Sequence, residues 1–353
     1  MDTSNMFGQA EILLHELIRI PSISRDEKTA SDYLQNYIES TSIRTFRIGN
    51  NVYCICPDYD ESRPTLLLNA HIDTVKPVSA WTKNPYEPIV ENGKLFGLGS
   101  NDDGGSLVSL FSVFRMLINT KQSYNLIFLA SCEEEVSGKN GIELALKELP
   151  HIDVALVGEP TEMQPAIAEK GLMVLDVVAH GKSGHAARNE GINAIYEAMN
   201  DIEWFRNYQF TKVSPLLGPV KMTVTQINAG TQHNVIPDLC NFVVDVRSNE
   251  CYKNEELLNE IAQHIQGKAQ ARSFRLNSSL IYIHHPLVEQ AKSQGKIPFG
   301  SPTLSDQSLM SFPSLKMGPG NSSRSHTADE YIMISEIEDA IQTYYKLLNG
   351  LIL

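Results

Sequence analysis

The sequence predicts an α/β protein with a mainly parallel sheet, covered by helices, into which a ferredoxin-like α+β domain is inserted. Three observations predict this fold class. Apolar strands alternate with helices in the first half of the chain and again near its end, as is typical of parallel sheets. Between these parts lies the order β-α-β-β-α-β, a complete small motif. A chain of 353 residues can also form two separate cores.

The first and last parts of the chain supply the α/β domain. Helical apolar spacing predicts its helices, and continuous apolar runs predict its buried strands. In chain order these elements are helices over 8–20 and 27–40, strands over 52–57 and 65–71, a helix over 106–119, a strand over 125–131, a helix over 141–149 and a strand over 154–159. The pattern returns after Ile281 with a helix over 285–294, a strand over 314–320 and a helix over 335–348.

The inserted domain is predicted between Lys170 and Ile281. Its elements are a strand over 172–181, a helix over 193–207, strands over 221–230 and 240–248, a helix over 254–266 and a strand over 271–279. This order of strands and helices is the ferredoxin-like split motif. The predicted domains are therefore 1–169 joined with 282–353, and 170–281.

Composition argues against two classes of partner. With 29 basic and 42 acidic side chains the formal net charge is −13, which disfavours nucleic acid and anionic membrane surfaces. No apolar run approaches the length of a membrane span, and the start of the sequence is typical of neither a secretory signal nor a transit peptide. The five cysteines show no zinc-finger spacing, so we expect reduced thiols in a cytoplasmic protein.

Ligand-type side chains follow the predicted strands of the α/β domain. In "LLLNAHIDTV" a buried run ends in His71 and Asp73, and this stretch alone fits either a core histidine paired with a carboxylate or a metal ligand. Other groups of this kind are Glu133, Glu134 and Glu135 in "SCEEE", Glu159 in "VGEPT", His326 in "MGPGNSSRSH", and Asp102 and Asp103 in "GLGSNDDGG". Sites in open α/β sheets lie at the carboxyl ends of the strands. Two imidazoles and three carboxylates there suit two zinc-like cations that share one bridging carboxylate.

Seven motifs in this order resemble a known enzyme family over almost the whole chain. They are "AHIDTV", "GLGSNDDGG", "CEEEVSGKNG", "VGEPT", "GKSGHAA", "HNVIPD" and "GPGNSSRSHTADEYI". The family is that of the dinuclear-zinc amidohydrolases comprising acetylornithine deacetylase, succinyl-diaminopimelate desuccinylase and related aminoacylases and carboxypeptidases. The resemblance implies a discontinuous catalytic domain over 1–169 and 282–353, and a lid and dimerisation domain over 170–281.

The resemblance also implies the ligands of two divalent cations per chain, zinc with cobalt or manganese as alternatives. One cation would be bound by His71 and Glu159, the other by Glu135 and His326, and Asp102 would bridge them. The choice of Asp102 over its neighbour Asp103 rests on the family's register. The sequence departs from the family at Gly104, where a lysine is usual, so the local charge balance differs.

Further residues match catalytic and substrate-binding positions of the family. Asp73 would orient the imidazole of His71, and Glu134 would be the general base that passes a proton to the leaving amine. His185, in the inserted domain, would reach the active site of the neighbouring subunit in a homodimer and stabilise the oxyanion. The implied substrate contacts are Asn234, Arg247, Lys170 and Gly320.

The motifs favour an N-acyl amino acid as the substrate, with N-acetyl-L-ornithine first and a role in arginine synthesis. Alternatives within the family are N-succinylornithine, N-succinyl-diaminopimelate, or the substrate of an aminoacylase or dipeptidase. Two other classes of protein are disfavoured. A binding protein that had lost catalysis would not be expected to keep Glu134, and a thiol enzyme based on Cys132 lacks a cationic partner in the sequence.

Overall fold

The computed structural model of the protein describes residues 3–188 and 190–353. Its chain forms two compact units. The first contains residues up to Ile167 together with Leu280–Phe299 and Ser305–Leu353, and the second contains Ala168–Ser279 and Gly300–Leu304. No helix in the described part of the chain is long and apolar enough to cross a bilayer.

Most of a nine-stranded sheet lies in the first unit. The strands of this sheet are β1 (Phe46–Ile48), β2 (Asn51–Ile55), β3 (Thr65–His71), β6 (Asn125–Ser131), β7 (Val154–Val157), β8 (Ala166–Glu169), β15 (Ser279–Leu280), β16 (Phe299–Ser301) and β17 (Ser314–Lys316). The order is β1-β2-β6-β3-β7-β17-β8-β15, with β16 beside β8. The central pairs β6–β3, β3–β7 and β7–β17 are parallel. Every residue of β3 and β6 is buried, as expected for parallel strands with both faces covered.

Helices and a small antiparallel sheet complete this unit. The helices are α1 (Thr3–Ile18), α2 (Lys28–Ser40), α3 (Gly105–Leu117), α4 (Ile142–Ala145), α7 (Pro286–Ser293) and α8 (Ile334–Leu348). The small sheet contains β4 (Ile89–Glu91), β5 (Lys94–Phe96) and β18 (Tyr331–Met333). A tight turn joins β4 to β5 because Asn92 and Gly93 both have positive φ, the conformation that Asn-Gly favours in hairpins.

The second unit has the ferredoxin-like arrangement. Its helices are α5 (Ala194–Asn207) and α6 (Asn254–Ala262), and its main strands are β9 (Met173–His180), β11 (Lys221–Ala229), β13 (Leu239–Arg247) and β14 (Lys268–Ala271). The sheet order is β11-β13-β9-β14, and all three pairs are antiparallel. Strands β10 (Gly184–His185) and β12 (Val235–Ile236) form a separate two-stranded ladder. The fold class predicted from the sequence is confirmed.

Two predicted elements differ from the structure. The last strand of the second unit was expected over 271–279, but β14 is Lys268–Ala271. Beyond β14 the side-chain amide of Asn254 donates to the carbonyls of Phe274 and Leu276, and the carbonyl of Leu276 also accepts the N–H of Leu172, so side-chain bonds take the place of a regular strand ladder. The helix expected over 141–149 is regular only in α4, because the next turn contains bonds from N–H to the carbonyl three residues earlier.

Candidate metal centre

Three adjacent parallel strands of the first unit carry predicted ligands at one edge of the sheet. His71 is the last residue of β3, and Glu134 and Glu135 lie three and four residues after the end of β6. Glu159 comes two residues after the end of β7. Since β6, β3 and β7 are neighbours with the same direction, their carboxyl ends bring these side chains together.

Asp102 and His326 reach the same place from two loops. Asp102 lies in the turn that leads into α3, behind Gly99 with its positive φ of 75°. His326 lies in the loop before β18 and itself has a positive φ of 59°. The Nε2 atom of His71 is 3.1 Å from Asp102 Oδ1, whereas the Nε2 atom of His326 is 3.6 Å from Asp102 Oδ2. The two carboxylate oxygens of Asp102 thus face different histidines.

Three glutamates complete the cluster. Glu135 Oε2 lies 2.8 Å from the Nε2 atom of His326. Possible ligand atoms of His71, Glu134 and Glu159 lie within 4.8 Å of one another, and so do those of His71, Asp102 and Glu135. The structure therefore brings all five predicted ligands and the predicted base Glu134 into one cluster.

The electrostatics of the cluster fit bound cations. Burial raises the pKa of Glu134 well above its usual value, against an opposing effect of the positive charge on His71. Burial and the neighbouring Asp102 likewise raise the pKa of Glu159. Carboxylates that share a buried site disfavour their own ionised forms unless positive charge is supplied. Imidazole nitrogens and carboxylate oxygens a few ångströms apart are ligands that zinc and similar cations accept.

The pKa values of the two histidines are raised as well, which for an imidazole favours the charged form. The hydrogen bond to Glu135 raises the pKa of His326 to about 9. Burial lowers the pKa of His71, but its hydrogen bond to Asp102 and the charge of Glu134 outweigh burial and raise the pKa well above the usual value. Both imidazoles are therefore drawn toward the surrounding carboxylates, where a cation would take the place of a proton.

Asp73 holds the turn that carries the glutamates. Its carboxylate accepts the backbone N–H groups of Glu134 and Glu135, at 3.0 and 3.2 Å, and the hydroxyl of Ser24 at 2.6 Å. The Nδ1 atom of His71 lies 2.8 Å from the backbone carbonyl oxygen of Asp73, but 3.7 Å from its carboxylate. The main chain of Asp73 thus orients the imidazole, while its side chain positions the turn.

One predicted residue of the second unit lies on its small ladder and another lies directly next to it. His185 pairs with Val235 across β10 and β12, and the backbone N–H of Ala186 donates to the carbonyl of Asn234. Both predicted side chains are exposed. The Nδ1 atom of His185 accepts the N–H of Ala187 at 3.1 Å, so in the neutral ring the proton is on Nε2. The ladder therefore presents an imidazole N–H donor beside an asparagine.

The other two predicted residues of this unit lie in a cluster of cations. Lys221 is directly opposite Arg247 across β11 and β13. Lys170 Nζ donates to the carbonyl of Pro219 at 3.1 Å, two residues before Lys221. Burial lowers the pKa of Lys170, and the charges of Lys221 and Arg247 lower it further. Asp245 occupies one edge of the Arg247 guanidinium, at 2.8 and 3.1 Å.

Gly320, the last predicted contact, lies in the first unit. Its φ is +83°, and a Cβ there would lie 2.3 Å from Asn101 Oδ1. Glycine is therefore needed for close packing between its loop and the turn that carries Asp102.

Sequence reasoning did not identify several residues of the structure's polar framework. Lys221 was not identified because a cation at the start of an amphipathic strand usually faces solvent. Asp306 is buried and accepts hydrogen bonds from Asn69 at 2.9 Å and Ser131 at 2.6 Å, one residue on each of β3 and β6. Glu330 is 2% exposed although it lies in a loop. No local pattern marks a loop carboxylate as buried.

Cys132 is not suited to nucleophilic chemistry. Burial raises the pKa of its thiol, and so do the charges of nearby carboxylates. A reactive cysteine needs the opposite environment, one that stabilises the thiolate.

Comparison with known proteins agrees with this geometry. The model of Peptidase family M20/M25/M40 matches residues 67–350. The acetylornithine deacetylase of Proteus mirabilis is 25% identical over 374 residues, which cover 96% of this chain and 95% of that protein. The succinyl-diaminopimelate desuccinylase of Corynebacterium glutamicum is 27% identical over 366 residues, which cover 95% of each.

Solved structures share the fold. A tripeptidase from Staphylococcus aureus superposes with a TM-score of 0.77 at 20% identity, covering 97% of both chains. A dinuclear metal binding peptidase of the M20 family from Bacillus subtilis gives a TM-score of 0.73 at 17% identity, covering 98% of both chains. The resemblance seen in the sequence motifs is confirmed at the level of the family. Because the family match extends over well more than half of the sequence, this chain belongs to Peptidase family M20/M25/M40, whose members are metal-dependent hydrolases.

Proposed function

We propose that the protein hydrolyses the amide bond of an N-acyl amino acid at a centre of two divalent cations. His71 and Glu159 would bind one cation, Glu135 and His326 the other, and Asp102 would bridge them. The observation that carries this assignment is the position of Asp102, whose Oδ1 is 3.1 Å from one histidine and whose Oδ2 is 3.6 Å from the other.

Glu134 is the proposed general base. Two cations, zinc or alternatively cobalt or manganese, would supply Lewis acidity toward the amide oxygen and a water of lowered pKa. Glu134 would accept a proton in this site and return it to the leaving amine. Burial raises the pKa of Glu134, which suits a group that must hold a proton between the two steps.

The two units would have different functions. We propose that the first is the catalytic domain and the second a lid that also forms a homodimer. His185 would act in the active site of the neighbouring subunit, where its Nε2–H could donate to the oxyanion of the tetrahedral intermediate. The exposure of His185 and the hydrogen bond from the N–H of Ala187 to its Nδ1 atom support this role, and Asn234 is bonded to the neighbouring residue Ala186. The five free cysteines support a reducing, cytoplasmic location.

For the substrate we propose N-acetyl-L-ornithine, which would place the reaction in arginine synthesis. Relatives named acetylornithine deacetylase that match almost the whole chain support this choice. Arg247 would bind the substrate's α-carboxylate through the edge of its guanidinium that Asp245 leaves free.

A specific observation favours a second candidate, the N-succinyl form. A succinyl group carries a second carboxylate, which must meet positive charge or several donors when it is buried. Lys170 and Lys221 have no carboxylate partner in the described part of the chain, and Lys221 lies opposite Arg247. The three cations Lys170, Lys221 and Arg247 exceed the single negative charge of Asp245. Their remaining positive charge is larger than one substrate carboxylate would neutralise.

The deciding experiment compares substrates and metal states. The protein should contain two divalent ions per chain, lose activity on treatment with a chelator, and regain activity with zinc or cobalt. Values of kcat/KM for N-acetylornithine, N-succinylornithine and N-succinyl-diaminopimelate then assign the acyl group and the amino acid. A preference for the diaminopimelate compound would contradict the arginine-pathway assignment, and full activity without metal would contradict the proposed centre.

The variant Lys221→Gln separates the two acyl groups. If the cationic cluster binds a succinyl carboxylate, this variant lowers kcat/KM for N-succinylornithine about 10-fold or more, the effect of one lost charged hydrogen bond, and leaves N-acetylornithine nearly unchanged. Lys268→Gln, an exposed lysine on β14 of the same sheet, is the matched control. Equal losses for both substrates would count against a role for Lys221 in acyl selection.

A further inference from the structure

Glu330 accepts hydrogen bonds from several backbone N–H groups of the turn that carries Asp102. Its Oε1 accepts the N–H groups of Asn101 at 2.9 Å and Asp102 at 3.0 Å, and its Oε2 accepts that of Gly99 at 3.1 Å. The backbone carbonyl of the same glutamate accepts the N–H of Gly97 at 3.0 Å. One residue therefore accepts four N–H groups from a stretch of six residues.

Asn101 makes the reverse connection to the loop that carries His326. Its side-chain amide donates to the carbonyl of Asn321 and to the hydroxyl of Ser325, both at 3.2 Å, and its Oδ1 accepts the N–H of Asn321 at 3.0 Å. The turn over 97–102 and the loop over 321–330 are thus joined by hydrogen bonds in both directions. Asp102 belongs to one of these two joined segments and His326 belongs to the other.

His326 needs such support because packing gives it little. Its side chain is 55% exposed, whereas that of His71 is 2% exposed. Four residues after His326 the chain is held by Glu330, which is 2% exposed. The position of this imidazole therefore depends on the anchoring of its loop.

We propose that Glu330 is a positioning residue that couples the two loops, so that the bridging carboxylate of Asp102 and the imidazole of His326 are placed for cation binding together. This inference rests on the proposed metal centre. Glu330 would not itself touch a cation or the substrate. It would act through the backbone of Asp102, and its loss would weaken the site served by His326 more than the site served by His71, which lies at the end of a fully buried strand.

Glu330→Gln weakens this coupling with little change in volume. A glutamine has one acceptor oxygen, and its amide NH₂ group would face a backbone N–H, donor against donor. Loss of a partner that orients a metal ligand typically weakens metal affinity about 10–100-fold. Glu338→Gln is the matched control, since Glu338 is an exposed carboxylate eight residues further along the chain and its loss changes the net charge equally.

The test measures cobalt binding to the chelator-treated protein by calorimetry and by visible absorption, alongside urea unfolding of the metal-free form. We expect two sites in the wild type and in Glu338→Gln. In Glu330→Gln the Kd of the weaker site should rise about 10–100-fold, while saturating cobalt still fills both sites. Glu330→Asp, which keeps the carboxylate on a shorter chain, should show an intermediate Kd and provides the measurement if the glutamine variant does not fold.

The outcomes separate this inference from the proposed function. A wild-type protein that binds no cobalt, or one ion, would contradict the dinuclear centre itself. Two wild-type sites together with an unchanged Kd in both Glu330 variants would overturn the positioning role. A lower urea midpoint with unchanged cobalt affinity would assign Glu330 to stability alone and would also overturn the proposal.

Discussion

Glu134→Gln is the change that tests the proposed chemistry most directly. The glutamine has nearly the same shape, and the backbone N–H that Asp73 holds at 3.0 Å is retained, so the turn should keep its conformation. What is lost is the ability to accept a proton. General base catalysis contributes about 10²–10⁴-fold, or about 2.7–5.4 kcal/mol of activation free energy. We therefore expect kcat to decrease by about 10²–10⁴-fold, while the metal content stays at two ions per chain.

The assay pairs kcat at saturating substrate with elemental analysis of the same preparation. Glu135→Gln is the comparison, because Glu135 Oε2 lies 2.8 Å from the Nε2 atom of His326 and its loss should release one ion. The opposite pattern, with metal lost from Glu134→Gln and retained in Glu135→Gln, would show that the ligand and base are exchanged. If kcat of Glu134→Gln falls by no more than about threefold, the decrease is far smaller than the contribution of general base catalysis. That result would refute the role of Glu134 as the base.

Two further predictions concern the second unit. If His185 acts across a dimer, inactive His185→Ala and inactive Glu134→Gln proteins should regain part of the activity after they are mixed and refolded, and verified mixed dimers without activity would exclude a shared site. Asp201 is 3% exposed and accepts the N–H groups of Gln266 at 2.9 Å and Gly267 at 2.8 Å. Asp201→Ala should therefore lower the free energy of unfolding in urea by about 2–4 kcal/mol. A change no larger than that of the exposed control Glu203→Ala would contradict this prediction.

Strong apolar patterns made most of the fold predictable. The runs at β3 and β6 are seven residues long and wholly buried, so their hydrophobicity alone marks them as strands. Short elements lack such a pattern. Strands β4 and β5 have three residues each, and the Asn92–Gly93 pair was the one local signal that could have identified their hairpin.

The candidate site divides in the same way. The expected ligands end strands or occupy glycine-rich turns, so sequence position was enough to propose that they converge. The residues that hold them in place depend on tertiary contacts. Glu330 accepts donors from residues more than 220 positions away in the chain, and Asp306 accepts from residues 175 and 237 positions away. No periodicity or motif encodes contacts at such separations.

The interrupted path of the first unit has a consequence for synthesis on the ribosome. Strand β7 ends at Val157, but its parallel neighbour β17 begins at Ser314. All of the inserted unit must therefore emerge before the sheet can close, and until then an apolar edge of β7 remains open to wrong pairing. The ferredoxin-like unit, contiguous except for Gly300–Leu304, can begin to fold during that interval. His326 is translated later still, so it is the last of the proposed ligands to join the nascent chain.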